Sequence, residues 1–389
     1  MDSWCSYSLL IFSALCKFID SVDQNVADEP LPRDELYYAL ASEYANENVI
    51  FSSEMVRAAL FFIYIGIEGE GSDEMRLALA YHGVTMSDFQ VDSAKIFNYK
   101  WKDAPIAHSV IRYFIRQDHK IARNYKMYMR HMMGKAVNVD FSEDQLKATN
   151  KELADELGPI GADVIAPAVW GADHLALLVN AMYFNMSWHR TFNTQASYPR
   201  IFHVNESRKL LIKMMHEDST YLWGELKELN ATAVVLPFAF PKLKMLLIKP
   251  NHMAGLDQLE YSLAGTDINA LVDDLVQHDV FVALPKFKIR CDMEVTKVIR
   301  RLGIGKIFEI SETFTTLLNK STPFRVTGIR HVNTFEFTEA GVGVAPTPMG
   351  YGSLARLFRG VKYFLADHPF AFFIIDKKSV FLSGHITNF

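Results

Sequence analysis

Few residues in this chain have the types and spacing that enzyme chemistry requires. The 389-residue sequence contains no G-x-S-x-G, H-E-x-x-H, P-loop or C-x-x-C motif. Its 13 histidines are scattered, and neither His131 nor His216 has a second metal ligand at helical spacing. Ser353 has no neighbouring base that could activate it as a nucleophile. The sequence therefore predicts a protein that is not an enzyme and that holds no metal or cofactor.

Six cations in one stretch recur every three or four residues. They are Arg112, Arg116, Lys120, Arg123, Lys126 and Arg130. On a single helix they would form a basic stripe that suits a polyanion such as a sulfated glycan. Residues 110–115, however, have the composition of a strand, which would divide the stripe between two elements. A polyanion is therefore a disfavoured alternative partner.

The composition is that of a globular protein with a large core. Half of the residues are hydrophobic, and the net charge is -5, which argues against a general nucleic-acid binder. At about 150 residues per domain the length would allow two or three domains. No Pro/Gly-rich linker occurs before about residue 340, so one large domain is favoured.

The N-terminus has the features of a secretory leader. Residues 8–16 read SLLIFSALC, an apolar run that is too short to span a bilayer but long enough for a signal-peptide core. The alternative is a buried helical turn. Cleavage after residue 16, or as late as residue 21, would leave residues 17–389 as a secreted domain with Cys291 as its only cysteine. We therefore expect an extracellular monomer without a membrane span.

Glycosylation triplets agree with a secretory route. Asn-x-Ser/Thr acceptors occur at Asn185, Asn205, Asn230 and Asn319. Asn185 lies inside an apolar run, so we expect it to be inaccessible, whereas the other three have polar neighbours.

Apolar periodicity predicts helices in the first third and mostly strands afterwards, which favours an α+β fold. The predicted helices are residues 31–46, 52–67 and 120–135. The predicted strands are residues 175–183, 232–240, 243–249, 279–290, 330–337, 370–375 and 379–386. Residues 339–352, EAGVGVAPTPMGYG, contain four glycines and two prolines, and we expect them to form a long, exposed, functional loop.

In order along the chain, several segments resemble the serpins, a family of serine protease inhibitors. Residues 48–52, NVIFS, resemble the second-helix motif, and residues 178–188, LVNAMYFNMSW, resemble the central-strand motif with Asn180 and Trp188 at the family positions. Residues 284–289, LPKFKI, and 364–373, FLADHPFAFF, match further family segments. The resemblance runs from about residue 30 to the C-terminus.

This resemblance implies a single domain with three β-sheets, about nine helices and an exposed reactive loop at about residues 335–360. A serine protease would attack the loop and form an acyl-enzyme. The cut loop would then insert as a new strand into the largest sheet, so the serpin itself supplies no catalytic residue. Asn180 and Trp188 would have structural roles.

The family's inhibitors carry Glu-Glu-Gly-Thr-Glu and then alanines at the loop hinge. Aligning Thr338 with the hinge threonine places Phe337 at the hinge glycine. On that alignment the hinge is Phe335, Glu336, Phe337, Thr338, Glu339 and Ala340. The bulky phenylalanines would hinder insertion, and Pro346 and Pro348 lack the N–H that a central strand needs.

The motif beneath the opening sheet departs from the family as well. Ser53 and Met55 stand where serpins have a proline and a shutter serine. A histidine that is frequent on the neighbouring strand falls at Thr327. We therefore expect an altered polar network there.

Two counts locate the bond that the protease would cut. Counting forward from Thr338 gives Tyr351–Gly352, and counting back from Pro369 gives Arg356–Leu357. The difference predicts a loop extended by about five residues. Arg356, the preferred site, would suit a trypsin-like extracellular protease, and Tyr351 a chymotrypsin-like one. The sequence thus favours a secreted inhibitor, with a non-inhibitory serpin (substrate, carrier or signalling protein) as the alternative.

Overall fold

Helices lead the chain and strands follow, as the apolar pattern predicts. The computed structural model describes residues 34–79, 100–101, 104–105, 107–158, 164–344 and 360–389. Within them the α-helices are α1 Glu35–Glu43, α2 Ser53–Tyr64, α3 Glu70–Ala78, α4 Arg123–His131, α5 Glu143–Leu157, α6 Leu256–Leu263, α7 Ile268–Asp273 and α8 Thr296–Arg301. Short 3-10 turns lie at Pro167–Val169, Thr194–Ala196, Lys227–Leu229 and Lys306–Phe308.

The strands of the described residues form sheets of nine, seven and two strands. They are β1 Val49–Phe51, β2 Lys100–Trp101, β3 Ala104–Pro105, β4 Ala107–Arg116, β5 Gly134–Val139, β6 Ala176–Phe184, β7 Met186–Ser187, β8 Tyr198–His203, β9 Lys209–Leu226, β10 Ala231–Pro237, β11 Lys244–Pro250, β12 Val276–Pro285, β13 Phe287–Glu294, β14 Gly328–Phe337, β15 Gly341–Val342, β16 Lys362–Leu365, β17 Phe370–Ile375 and β18 Val380–Ile386.

The seven-stranded central sheet consists of β4 to β7 and β13 to β15. Its order is β5-β4-β6-β14-β15-β7, and β13 pairs with the free side of β14. Strands β6 and β14 are parallel neighbours, with Gly328 opposite Leu177 and Thr334 opposite Tyr183. The nine-stranded peripheral sheet has the order β1-β18-β17-β11-β10-β9-β12-β16, and β8 pairs with β9.

Strand β6 lies at the centre of the molecule and is buried at every position. Its alternate residues face different cores. Leu178 and Met182 pack into the main core with α2, whereas Val179 and Ala181 pack with Leu153 of α5. A central strand covered on both faces reads as a continuous apolar run, because no position meets water.

Two predicted elements differ in their bounds. The predicted helix 120–135 ends at His131, because the backbone of Met133 takes a positive φ of 60° before the chain joins β5. The predicted strand 279–290 is two strands in different sheets. Pro285 ends β12 in the peripheral sheet, and Phe287 begins β13 in the central sheet.

The basic stripe is divided between β4 and α4, as the strand composition indicated. Arg112 is buried and pairs with Glu156 of α5, and Arg116 pairs with Asp118 at 2.9 Å. These two cations are already neutralised within the fold, so the six do not present one basic face. Among the described residues, no helix has both the length and the apolar character needed to cross a bilayer.

Candidate functional site

The chain segment after β14 folds back into the central sheet as a tight hairpin. Thr338 N donates to Gly341 O at 2.9 Å, and Gly343 N donates to Glu336 O at 2.7 Å. Val342 of β15 then lies between Phe337 of β14 and Met186 of β7. The expectation of an exposed loop is therefore wrong for Thr338–Val342, which are buried. Strand pairing on both sides removes this segment from solvent.

Two glycines allow this close approach. A Cβ on Gly341 would lie 2.2 Å from Met186 O, and one on Gly343 would lie 2.5 Å from Phe184 O. Gly343 also has a φ of +68°, which side chains disfavour. The hairpin can lie between the strands only because neither position has a side chain.

Trp188 and Phe192 hold the turn of the hairpin from the β7 side. Trp188 donates through Nε1 to Thr338 O and through its backbone N to Ala340 O, both at 3.0 Å. Phe192 N donates to Glu339 O at 2.8 Å. The Trp188 ring is buried and stacks on Phe238 with centroids 4.9 Å apart. The structural role expected for Trp188 is thus to anchor the hinge turn.

The carboxylate of Glu339 is buried within the turn. Its oxygens accept from Lys286 Nζ and from Ser197 Oγ, each at 2.9 Å. Burial alone would raise the pKa of Glu339, but the hydrogen bonds from Lys286 and Ser197 outweigh it and hold the pKa below its usual value. The ion pair links the hinge to the chain between β12 and β13.

Phe335 and Phe337, two of the predicted hinge residues, lie within β14. Both are buried, and Phe337 stacks on Phe287 with centroids 5.3 Å apart. Phe335 stacks on Phe372 at 5.3 Å. Glu336, between them, is partly exposed and pairs with Lys288 at 3.2 Å. Both phenylalanines are therefore core residues of a strand that is already paired.

A buried polar network joins β6, β14 and the start of α2. His331 Nδ1 donates to Asn180 Oδ1. Its Nε2 accepts from Ser52 N at 3.0 Å and from Asn333 Nδ2 at 2.7 Å. Because Nε2 faces two donors, the ring fits only in its neutral form, and burial lowers the pKa of His331 to about 3. Asn180 thereby ties β6 directly to β14.

This network corrects the expectation that the histidine is lost. The histidine beside the shutter is His331, four residues beyond Thr327. Thr327 instead lies before β14, where its hydroxyl accepts from Ala176 N at 3.1 Å. Met55 is a core residue of α2, and Ser53 is buried beside it.

Comparison with known proteins identifies the family. A family model described as "Serpin (serine protease inhibitor)" matches residues 34–389. This chain belongs to the serpin family. It is 26% identical over 370 residues to Serine protease inhibitor 42Dd of Drosophila melanogaster, which covers 91% of this chain and 95% of that relative.

Two solved structures share the fold. Serpin48 of the insect Tenebrio molitor superposes with a TM-score of 0.79 at 21% identity, covering 92% of this chain and 95% of that chain. Human thyroxine-binding globulin superposes with a TM-score of 0.80 at 17% identity, covering 92% and 96%. The α+β serpin fold expected from the sequence is confirmed, with eight α-helices in the described residues.

The hairpin of this serpin defines the register that a longer strand between β14 and β7 would have. Val342 lies opposite Phe337 on one side and Met186 on the other. Continued in that register, residue 348 would lie opposite both His331 and Asn180. Those two residues are already partners across β14 and β6. A new strand would therefore require the two strands to separate sideways by about 4.8 Å, without sliding along each other.

The glycosylation candidates all have exposed side chains. Asn185 is exposed too, so its expected inaccessibility is wrong: it lies in the one-residue break between β6 and β7 and points away from the core that both strands contact. Asn205 Oδ1 accepts from Ser207 N and Arg208 N in a tight turn. The reactive-bond candidates lie outside the described residues; they are Arg356, Leu357, Tyr351 and Gly352.

Proposed function

We propose that this serpin is a secreted inhibitor of serine proteases, which acts as a suicide substrate by inserting its cleaved loop into the central sheet. Within the described residues the central sheet has seven strands, so the sheet that receives the loop is not the largest one, contrary to the expectation from the sequence. The observation that carries the proposal is the hinge hairpin between β7 and β14. Its first inserted residues are already paired, and its register matches the register of the closed sheet. The hinge is thus positioned for insertion to continue from residue 343 without a shift of either strand.

The position of His331 also supports a different alignment of the hinge. Moving the family pattern by the same four residues places its first glutamate at Glu339, its glycine at Gly341 and its threonine at Val342. Glu339 and Gly341 then match the pattern, and the close contact of Gly341 explains why glycine is needed there. On this alignment Phe337 precedes the hinge and lies within β14.

The new alignment brings the two counts of the reactive bond together. Counting forward from Val342 by the same spacing gives Ala355–Arg356, one residue from the backward count of Arg356–Leu357. No five-residue extension of the loop is then needed, and Tyr351–Gly352 is no longer favoured. Arg356 flanks the bond on both counts. Cleavage after Arg356 would suit a trypsin-like pocket, whereas cleavage after Ala355 would suit a protease with a small pocket.

A non-inhibitory role is the second candidate. Pro346 and Pro348 follow the hinge, and proline cannot donate to a neighbouring strand. The similarity to thyroxine-binding globulin, whose name denotes a carrier, is compatible with this alternative. Insertion that stopped at residue 345 would leave a protease substrate that does not trap its attacker.

A gel assay separates the two candidates. We would incubate the purified protein with trypsin, chymotrypsin and pancreatic elastase and look for an SDS-stable complex of summed mass. Mass spectrometry of the released peptide would identify the cut bond. The variant Val342→Arg supplies the control, because Val342 is fully buried between β14 and β7 and a charge there should block insertion. Cleavage without complex by the wild type would refute inhibition.

Secretion forms a separate part of the proposal. It is supported by residues 8–16 and by the exposure of all four glycosylation candidates. Expression of the full chain in insect cells should place the protein in the medium, with a new N-terminus between residues 17 and 22. Retention in the cells with Met1 intact would contradict it.

A further inference from the structure

We propose that an aromatic ladder on the outer face of the peripheral sheet is a second contact surface for the protease that attacks the loop. This inference rests on the proposed function, because it concerns the same protease. The ladder consists of Tyr198 on β8, His216 on β9, Phe281 on β12 and Tyr363 on β16. It crosses four adjacent strands and ends on the strand that follows the reactive loop.

The rings of the ladder are in continuous contact. Tyr198 stacks on His216 with centroids 3.9 Å apart and planes 9° apart. His216 contacts Phe281 at 5.5 Å, and Phe281 contacts Tyr363 at 6.0 Å. The guanidinium of Arg200 lies 5.6 Å from the Tyr198 ring centre and 5.7 Å from that of Phe281. Packing between the rings holds the two terminal tyrosines in fixed positions.

The two ends of the ladder are exposed although its middle is buried. Tyr198 is 44% exposed and Tyr363 is 63% exposed, whereas His216 is only 4% exposed. Exposed tyrosines on a rigid support, together with an arginine, have the composition of residues that dominate binding at protein interfaces. Two large rings left in water at fixed positions lose little entropy when a partner covers them.

The position of Tyr363 selects the protease as the partner. Tyr363 is seven residues beyond Arg356, so the two Cα atoms are at most about 25 Å apart even in a fully extended chain. A protease domain of about 220 residues has a radius of gyration of about 17 Å. A protease bound at Arg356 is therefore large enough to reach the region that contains Tyr363. The continuity of β16 with the loop keeps this face close to any protease that attacks the loop.

The rate of attack tests this inference independently of inhibition. We would measure the second-order rate constant for loss of intact serpin, counting complex and cleaved chain together, with whichever of trypsin, chymotrypsin and elastase attacks fastest. Tyr363→Ala and Tyr198→Ala should each lower this constant by about fivefold or more, the loss that marks an important interface residue. Tyr363→Phe should retain the wild-type rate, because it keeps the ring face.

Controls distinguish an interface from a structural defect. Tyr261→Ala removes a tyrosine that is 47% exposed on α6, away from β16, and should leave the rate unchanged. The ratio of complex to cleaved chain should be the same in all variants, and each variant should remain fully folded at the assay temperature. Unchanged attack on Tyr363→Ala and Tyr198→Ala would overturn the inference while leaving inhibition intact.

Other outcomes are also decisive. If the wild type is cleaved without complex but the tyrosine variants are cleaved more slowly, inhibition fails and the contact surface stands. If none of the three proteases attacks the loop, both proposals fail. If sedimentation shows a dimer that Tyr198→Ala dissociates, the ladder is a surface for self-association and the inference is wrong.

Discussion

Replacing Pro346 and Pro348 with alanine should convert this serpin into a more efficient inhibitor. The register of the hinge hairpin gives the reason. Gly343 N donates toward β14, and N–H groups alternate between the two sides of a central strand. Residues 342, 344, 346 and 348 would therefore direct their N–H groups toward β7 and β6. In that register, position 346 faces Met182 and position 348 faces Asn180.

The two prolines make insertion less favourable because of the β6 residues that they would face. Each proline leaves one carbonyl of β6 without a donor, at Met182 and at Asn180, in a strand that is buried throughout. An unsatisfied buried acceptor costs about 1–3 kcal/mol, so the pair costs about 2–6 kcal/mol of the free energy of insertion. Insertion competes with hydrolysis of the acyl-enzyme, and each ~1.4 kcal/mol in the barrier changes a rate tenfold. Removing the prolines should therefore favour trapping strongly.

The stoichiometry of inhibition measures this effect directly. We would titrate a fixed amount of protease with the wild type, each single variant and the double variant, and count the molecules consumed per protease inactivated. The double variant should approach one molecule, and the wild type should need more. Thr347→Ala is the matched control, because position 347 lies between the prolines, faces β14 and keeps its N–H. Equal stoichiometry for the wild type and the double variant would show that the register or its assumed cost is wrong.

Three further predictions concern the hinge and the network beneath it. Gly341→Ala places a Cβ 2.2 Å from Met186 O, so it should displace β15 and increase proteolysis within residues 338–344. Lys286→Ala leaves the Glu339 carboxylate buried without its cation, and should lower the free energy of unfolding at pH 7 by about 2 kcal/mol in urea titrations. Lys288→Ala, whose partner Glu336 is only partly buried, is its control. The pKa of His331 falls from 6.5 to about 3 on folding. Below pH 6.5 the unfolded chain therefore binds a proton that the folded chain does not. The free energy of unfolding should be about 2 kcal/mol lower at pH 5.0 than at pH 7.5. His331→Gln should flatten that dependence, and an unchanged slope would assign it to other groups.

The elements with continuous apolar runs were predictable from the sequence. Strands β6, β10, β11, β14, β17 and β18 and helices α1 and α2 lie within or close to the predicted ranges. Most residues of these elements are buried, so each element is visible in the sequence as an apolar run. The boundary at Pro285 was missed because the apolar alternation continues across it, although β12 and β13 lie in different sheets. Only the pairing partners, which are distant in sequence, separate the two strands.

The realignment of the hinge that we propose has a related origin. The family pattern matches locally at Thr338, Glu339 and Ala340. The sequence does not show which residues contact this segment in the fold, so it offers no means to reject that match. The sequence also contains a second match, formed by Glu339 and Gly341, together with His331 four residues after Thr327. Choosing between the two requires knowing that His331 contacts Asn180, a contact between residues 151 positions apart.

The sequence by itself determined the family, the α+β class and the absence of known catalytic motifs, because these depend on residue types and on spacing along the chain. The tertiary structure decided that the hairpin after β14 is buried and paired, and that β6 and β14 are in register for a new strand between them. These features depend on backbone contacts between β7, β14 and β15. A side chain at Gly341 would block the close approach to β7, and a shift of four residues would change every backbone partner in the register. Spacing along one strand cannot specify the strand that will lie beside it.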